Sequence, residues 1–225
     1  MICMTRHGVV VRGSEADFAA GRQLFATQHC LRLERFIEED LLRTIRRSLR
    51  TAPFHDRTHD GIGAELCLSE GPLSAGLEFL WNAPMLSAAL DRLTECGPFG
   101  CFEGRVYRMM PAQGHYDSWH SDVGEDRRVA MSVNFSEERY EGGVTEFRHA
   151  RDTAAFHHIA NTGFGDAIIF RIDPSLRHQV TEVTGSVAKT AYAGWFRTTP
   201  EYSTMFRERH DLEHADRGTA RSFSG

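Results

Sequence analysis

The 225-residue sequence contains no apolar run near the length of about 18 residues that a membrane span requires. The opening MICMTRHGVVVRGSEADF lacks a long apolar core behind a basic patch, so it does not read as a signal peptide. Cysteine is scarce and unpaired in pattern. Cys3, Cys30, Cys67, Cys96 and Cys101 make an odd number with no Cys-x-x-Cys, which excludes a disulfide framework or a zinc ribbon and points to reduced thiols in a cytoplasmic protein. There is no excess of positive charge either. A formal net charge of -5 argues against a nucleic-acid-binding domain, and no membrane partner is indicated. Hydrophobic residues at 41% and charged residues at 25% are ordinary globular values and exclude a wholly disordered chain or a coiled coil.

At roughly 150 residues per domain, this length allows one domain with extensions or two small ones. Residues 1–20 are polar and mixed and read as loosely held. Residues 30–36 alternate with period two, as a strand does. Leu41, Leu42, Ile45 and Leu49 then fall on one helical stripe, with Glu38, Glu39 and Asp40 ahead of them and Arg46, Arg47 and Arg50 behind, an order that suits the helix dipole. Residues 51–61 read as a loop and 62–68 as a strand. Helices are expected over about 73–81 and 84–95, the second opening at Asn82 and Pro84 and stopping at Gly97. From residue 100 the character changes to short strand-like runs between Gly, Asp and Asn turns: 102–110, 129–135, 144–148, 154–159, 167–172, 179–183 and 187–197. The pattern predicts a mainly helical support region over 1–99, an all-β part over 100–198 and a polar tail over 199–225.

The one compositional excess is histidine, with twelve residues. His-x-Asp can supply two metal ligands, because side chains at i and i+2 of a strand share a face. The spacing occurs three times, at His115/Asp117, His120/Asp122 and His214/Asp216. The third lies in the polar tail with no strand to hold it. The adjacent pair His157 and His158 would face opposite ways in a strand, which disfavours a shared metal.

Context separates the first two pairs. His120-Ser-Asp122 is followed by a turn, the apolar run Val129–Phe135, Tyr140-Glu141-Gly142-Gly143, Gly165-Asp166 entering Ala167–Phe170, His178, Lys189 and Gly194-Trp195-Phe196-Arg197. This ordered set resembles the Fe(II)- and 2-oxoglutarate-dependent oxygenases, in particular their prolyl 4-hydroxylase-like branch. The resemblance covers about residues 100–198. It implies an α+β protein with a double-stranded β-helix core, a jelly-roll of cupin-like form, supported by N-terminal helices. It also implies iron(II), 2-oxoglutarate and dioxygen, with ascorbate as a further reductant.

By that resemblance His120, Asp122 and His178 are the iron ligands, two imidazoles and a carboxylate on one face of the ion. Lys189, six residues before Trp195, matches the basic residue that pairs the far carboxylate of 2-oxoglutarate. Arg197 competes for that role, since an even offset of eight puts it on the same strand face if no bulge intervenes. A bulge or insertion near Thr184-Gly185 is implied by the spacing from His178 to Lys189. Where relatives carry an upstream tyrosine near the cosubstrate, this chain reads Met109-Met110-Pro111, which leaves Tyr107 and Tyr116 as nearby substitutes and Asn134 as an inward donor. The implied reaction hydroxylates a substrate C–H bond and releases succinate and carbon dioxide. Asp122 disfavours a halogenase, because family halogenases replace that carboxylate.

Some residues have plainer readings. His115 is a structural or substrate-side residue, Trp195 and Phe196 are core, and the Gly142-Gly143 turn needs flexible glycines. A cupin-like metalloenzyme without 2-oxoglutarate and an inert binding module are the alternatives. The substrate, peptide or small molecule, is not written in the sequence. Candidate substrate loops are 51–61, 111–119 and 149–153, with the tail as a lid.

Overall fold

A computed structural model describes residues 1–205 apart from Asp60, Glu125 and Asn161. The expectations for the tail beyond 205, including the His214/Asp216 pair, lie outside the described residues.

The chain begins with a hairpin, β1 (Ile2–Thr5) and β2 (Gly8–Val11), followed by α1 (Glu15–Gln28), β3 (Cys30–Leu33) and α2 (Glu39–Leu49). Next come β4 (Phe54–His59), β5 (Gly63–Leu68), α3 (Pro72–Trp81) and α4 (Pro84–Thr94). The β-rich part contains β6 (Cys101–Met109), β7 (Tyr116–His120), β8 (Arg127–Asn134), β9 (Glu141–Gly142), β10 (Thr145–His149) and β11 (His157–Ile159). It continues through β12 (Ala167–Arg171), β13 (Leu176–Val180), β14 (Val183–Thr184) and β15 (Lys189–Arg197).

One antiparallel sheet organises the molecule, in the order β11-β10-β13-β7-β5-β6-β15-β8-β12-β3, with β4 added beside β5. It curls back on itself. Phe147 on β10 meets Phe170 on β12 at 5.2 Å between ring centroids, although these strands are far apart in the sheet order. The result is the expected double-stranded β-helix, with α1 to α4 against the outer face of its larger half.

Alternation on β15 divides the protein into an outer core and an inner cavity. Tyr192 and Phe196 point outward into a large apolar cluster with Trp81, Phe102, Phe36 and the α2 stripe. Trp81 is fully buried there, its edge against Tyr192 at 4.7 Å and its indole N–H directed to the Met131 sulfur at 3.3 Å. Ala191, Ala193 and Trp195 point the other way, into the curl.

α2 matches its sequence pattern, burying Leu41, Leu42, Ile45 and Leu49. Several local readings change, among them the strand read over 179–183, which is β13 and β14 instead. Residues 1–20 are ordered, because Ile2 and Met4 are buried and Ser14 and Asp17 form a capping box at the start of α1. That helix carries only Phe18 and Phe25 inward, so it shows no apolar stripe in sequence. Residues 54–59 form a strand rather than a loop. β4 is an edge strand whose polar residues are satisfied by pairing with β5 and by solvent. Asn82 ends α3 instead of opening α4, and its amide also ties the backbone of Phe102 through both N–H and C=O, at 2.7 and 3.0 Å.

The first ninety-nine residues are rich in helix, yet β3 and β5 are integral to the main sheet, against β12 and between β6 and β7. All five cysteines are free thiols.

Candidate metal centre and cavity

β7 and β13 run antiparallel, and His120 and His178 are direct register partners. Directly opposed residues share a face, so the two imidazoles come together, with centroids 4.2 Å apart. Asp122 lies two residues beyond the end of β7 and turns back beneath both rings. Its Oδ1 is 3.5 Å from His120 Nε2 and its Oδ2 is 3.4 Å from His178 Nε2. Bonds of about 2.1 Å to one ion place neighbouring donor atoms about 3 Å apart, so the spacing fits a single ion. Two imidazoles and one carboxylate are also the donor set of non-haem iron sites with open positions.

The surroundings prepare these groups. His120 Nδ1 faces the Ser118 carbonyl oxygen at 2.7 Å, which sets the tautomer that leaves Nε2 for the ion. Phe170 packs on His178 at 4.6 Å. Burial holds His178 down to about 4, so it is neutral at pH 7. Burial also works against charge on Asp122 and His120. Their mutual hydrogen bond is the main opposing cause, joined on His120 by the charge of Asp117, and Asp122 is taken down to about 2 and His120 up to about 9. Loading a metal therefore means displacing the proton of His120.

A second carboxylate sits close by. Asp117, His120 and His178 offer donor atoms all within 4.8 Å of one another. A regular strand would place Asp117 and His120, three apart, on opposite faces. Between the paired positions β7 spans Asp117 to His120 while β13 spans only Val180 to His178. This bulge changes the parity and carries Asp117 to the histidine side. Its carboxylate lies 3.4 Å from His120 Nδ1, the nitrogen already facing the Ser118 carbonyl, and burial pushes its pKa up to about 6.

Lys189 opens β15 and is buried to 5% exposure. Its Nζ donates to the Gly143 carbonyl oxygen at 2.9 Å and lies 5.9 and 5.8 Å from the ring centroids of Tyr107 and Tyr140. Among the described residues no carboxylate forms an ion pair with it. A buried ammonium without an anion is costly, and burial lowers its pKa to about 8. This under-neutralised cation fits the far carboxylate of a dicarboxylate ligand. Gly143, at φ +57°, is required here, since an added Cβ would lie 3.0 Å from the Lys189 side chain.

Asn134 lines the small pocket around Lys189. Its amide donates to the Thr162 carbonyl at 2.8 Å and accepts from the Ser136 N–H at 2.9 Å, so it braces loops. Tyr116 is 45% exposed and does not line the cavity. Arg197 is bound at the far end of β15 by Asp126 and Glu103, at 2.7 and 2.5 Å. His115 is buried and accepts the Met110 N–H at 2.9 Å, a structural role. Phe196 is core as expected, but Trp195 forms a cavity wall.

A cavity of about 360 Å³ joins these parts. Besides Trp195 and the three donors, its walls include Tyr107, Ser132 and Thr145, and the last two also line the Lys189 pocket. Arg57, Arg105 and Arg127 add positive charge; no motif in the sequence marks them, because three different strands supply them.

Residues 104–197 match the family model of the 2OG-Fe(II) oxygenase superfamily. No curated protein matches the chain. Among solved structures, a prolyl-4-hydroxylase of Pseudomonas putida aligns with a TM-score of 0.62 at 18% identity, covering 81% of this chain and 99% of that one. An oxidoreductase of the 2OG-Fe(II) oxygenase family from Burkholderia pseudomallei aligns with a TM-score of 0.63 at 13% identity, covering 89% and 98%. The epimerase SnoN of nogalamycin biosynthesis, in complex with Fe3+, alpha ketoglutarate and nogalamycin RO, aligns with a TM-score of 0.56 at 10% identity, covering 82% and 85%. At these identities the likeness is one of fold.

Proposed function

We propose that this chain, whose residues 104–197 match the 2OG-Fe(II) oxygenase family model, hydroxylates a C–H bond of its substrate, with His120, Asp122 and His178 holding iron(II) and Lys189 anchoring 2-oxoglutarate. The observation that carries this reading is the convergence of the two imidazoles and the Asp122 carboxylate at 3.4 and 3.5 Å beside a buried, unneutralised lysine. When bound, iron and 2-oxoglutarate supply the oxidising chemistry, with dioxygen consumed and succinate and carbon dioxide released.

The protein's own residues supply binding, orientation and dryness. Asp122 is ionised and His178 neutral at pH 7, the states a metal needs. The Ser118 carbonyl fixes the orientation of the His120 ring. Phe147, Phe170 and Tyr107 line the inner wall and keep water from the donors. Lys189 offers a charge that a ligand carboxylate neutralises, and Tyr107 stands beside it. SnoN is seen with nogalamycin RO and a prolyl hydroxylase from Trichoplax adhaerens with a peptide fragment, so the proposal takes in both small-molecule and peptidyl substrates. The proposal keeps a supporting part over 1–99 and a core over 100–198, with β3 and β5 of the first part joining the main sheet; the tail proposed over 199–225 lies mostly outside the described residues.

The test is an anaerobic titration with iron(II) and then 2-oxoglutarate, followed by its visible charge-transfer band, with succinate release in the presence of ascorbate as second readout. A band lost in His178→Ala supports the proposal. Iron binding without a band would replace it with a metalloenzyme that does not use 2-oxoglutarate, and binding of neither would leave a binding module.

A further inference from the structure

Of the three arginines lining the cavity, Arg127 and Arg57 have no ion pair among the described residues. Arg127, the first residue of β8, lays its guanidinium 3.6 Å over the ring centroid of Trp195, and Arg105 approaches the same ring at 5.9 Å. Arg105 is neutralised, with Nε 2.7 Å from Glu65. The other carboxylates near Arg127 are also committed. Glu103 and Asp126 hold Arg197, and Asp122 faces the two histidines. Arg127 is left with one long contact, 3.5 Å to the Asp122 carbonyl oxygen, and no ion pair among the described residues. Arg57, exposed on β4, lines the outer wall of the same cavity, also without an ion pair among the described residues.

We infer that the substrate bears a carboxylate and that Arg127, presented on the face of Trp195, binds it. The inference rests on the reading of His120, Asp122 and His178 as the reaction centre and adds the substrate class. A guanidinium stacked on an indole keeps its fork of donors free in a fixed plane, which suits a planar carboxylate. Its contact with the backbone of Asp122 places it beside the donor set, where a bound acid would bring a nearby C–H bond to the ion.

The far carboxylate of the cosubstrate, assigned to Lys189, does not account for this charge. Arg127 pairs with Arg197 in the β8–β15 ladder, eight residues from Lys189. At about 3.3 Å per residue that is about 26 Å along the strand, so the carboxylate held by Lys189 is not the one that Arg127 would meet. A single well-seated guanidinium matches one negative charge, and a volume of about 360 Å³ lies at the lower end of ligand cavities. Both favour a small monocarboxylic acid over a phosphorylated compound.

The experiment uses matched pairs of N-acetyl amino acids, each as the free carboxylate and as the carboxamide, with N-acetyl-O-phosphoserine amide as the phosphate control. Binding is read by tryptophan fluorescence, with Trp195→Phe identifying the responding indole, and succinate release is read in parallel. The carboxylate of the best pair should bind at least about tenfold more tightly than its carboxamide, the usual scale of a charge-assisted contact. Arg127→Gln should bring that ratio to near one, and Arg127→Lys should retain part of it. The ratio is internal to each variant, so a merely structural role for Arg127 would weaken both forms and leave it unchanged. An unchanged ratio, equal binding of both forms in the parent protein, a preference for the phosphate, or no binding by any carboxylate overturns the inference. Carboxylate-selective fluorescence without the iron–oxoglutarate band would keep the anion site and remove the oxygenase reading; the band without carboxylate preference would do the reverse.

Discussion

His178 and His120 stand directly opposite each other on the antiparallel strands β13 and β7, so the candidate metal centre is a property of strand register. A slip of one residue would turn one imidazole to the other face of the sheet. The neighbouring bulge draws Asp117 into the same group.

Two carboxylates near two histidines make the assignment of the third ligand testable. Asp122 faces both Nε2 atoms, whereas Asp117 lies by His120 Nδ1. Asp117→Asn should weaken iron binding by about 10- to 100-fold, the cost of losing an outer partner. Asp122→Asn should weaken it further while leaving the circular dichroism spectrum intact. Calorimetric titration of both variants decides, and the reverse order would make Asp117 the ligand.

Lys189 should carry a pH signature. Its pKa is lowered by burial to about 8 from the ordinary 10.5, against the opposing pull of Asp117. Between those values the unfolded chain holds more protons than the folded one, so stability rises with pH across that window. Below pH 8 the full cost of the buried charge is in force, on the order of 3 kcal/mol. Lys189→Met should therefore be more stable than the parent at pH 7 without cosubstrate, lose that advantage by about pH 10.5, and fail to bind 2-oxoglutarate. Urea unfolding at a series of pH values measures it; a gap independent of pH refutes the account.

Asp166 is a structural acid despite its place in the Gly165-Asp166 signature. Its buried carboxylate accepts from Arg32 at 2.8 and 2.6 Å, from the Arg35 N–H at 2.8 Å and from the Gly163 N–H at 3.0 Å. Asp166→Ala leaves the two backbone N–H donors unpaired and removes the half-exposed Arg32 pair, and should cost about 1 to 3 kcal/mol in thermal or chemical unfolding. A loss of less than about 1 kcal/mol would contradict this.

Trp81 joins the helices to the back of the sheet at the strand that begins with Lys189. Trp81→Ala should cost about 3 to 5 kcal/mol through cavity formation. Trp81→Phe, which keeps most of the volume, should cost less, and the midpoint of denaturation measures both.

The legibility of the sequence follows from how far each feature depends on distant partners. Leu41, Leu42, Ile45 and Leu49 announce α2 because a helix stripe is local. Val129–Phe135 and Val187–Arg197 announce strands for the same reason, and they frame His120, His178 and Lys189 in readable order. β4 was hidden because FHDRTH is polar and needs only β5 to become a strand. Arg197 and Tyr116 looked suitable on spacing alone. The carboxylates that engage Arg197 come from β6 and from the turn before β8, and the exposure of Tyr116 depends on how β7 is seated. Asp117 required a bulge, and Arg127 required the face of Trp195.

The completion of the sheet by β3 also bears on how the protein is made. Arg32 on β3 and its partner Asp166 are 134 residues apart, so the ribosome releases this strand long before β12 exists to receive it. Until then its edge is open, and so is the apolar face it later covers. Such distant pairing folds slowly and leaves nascent chains prone to association, so yield should respond to growth temperature and chaperone supply more than the fold's modest size would indicate.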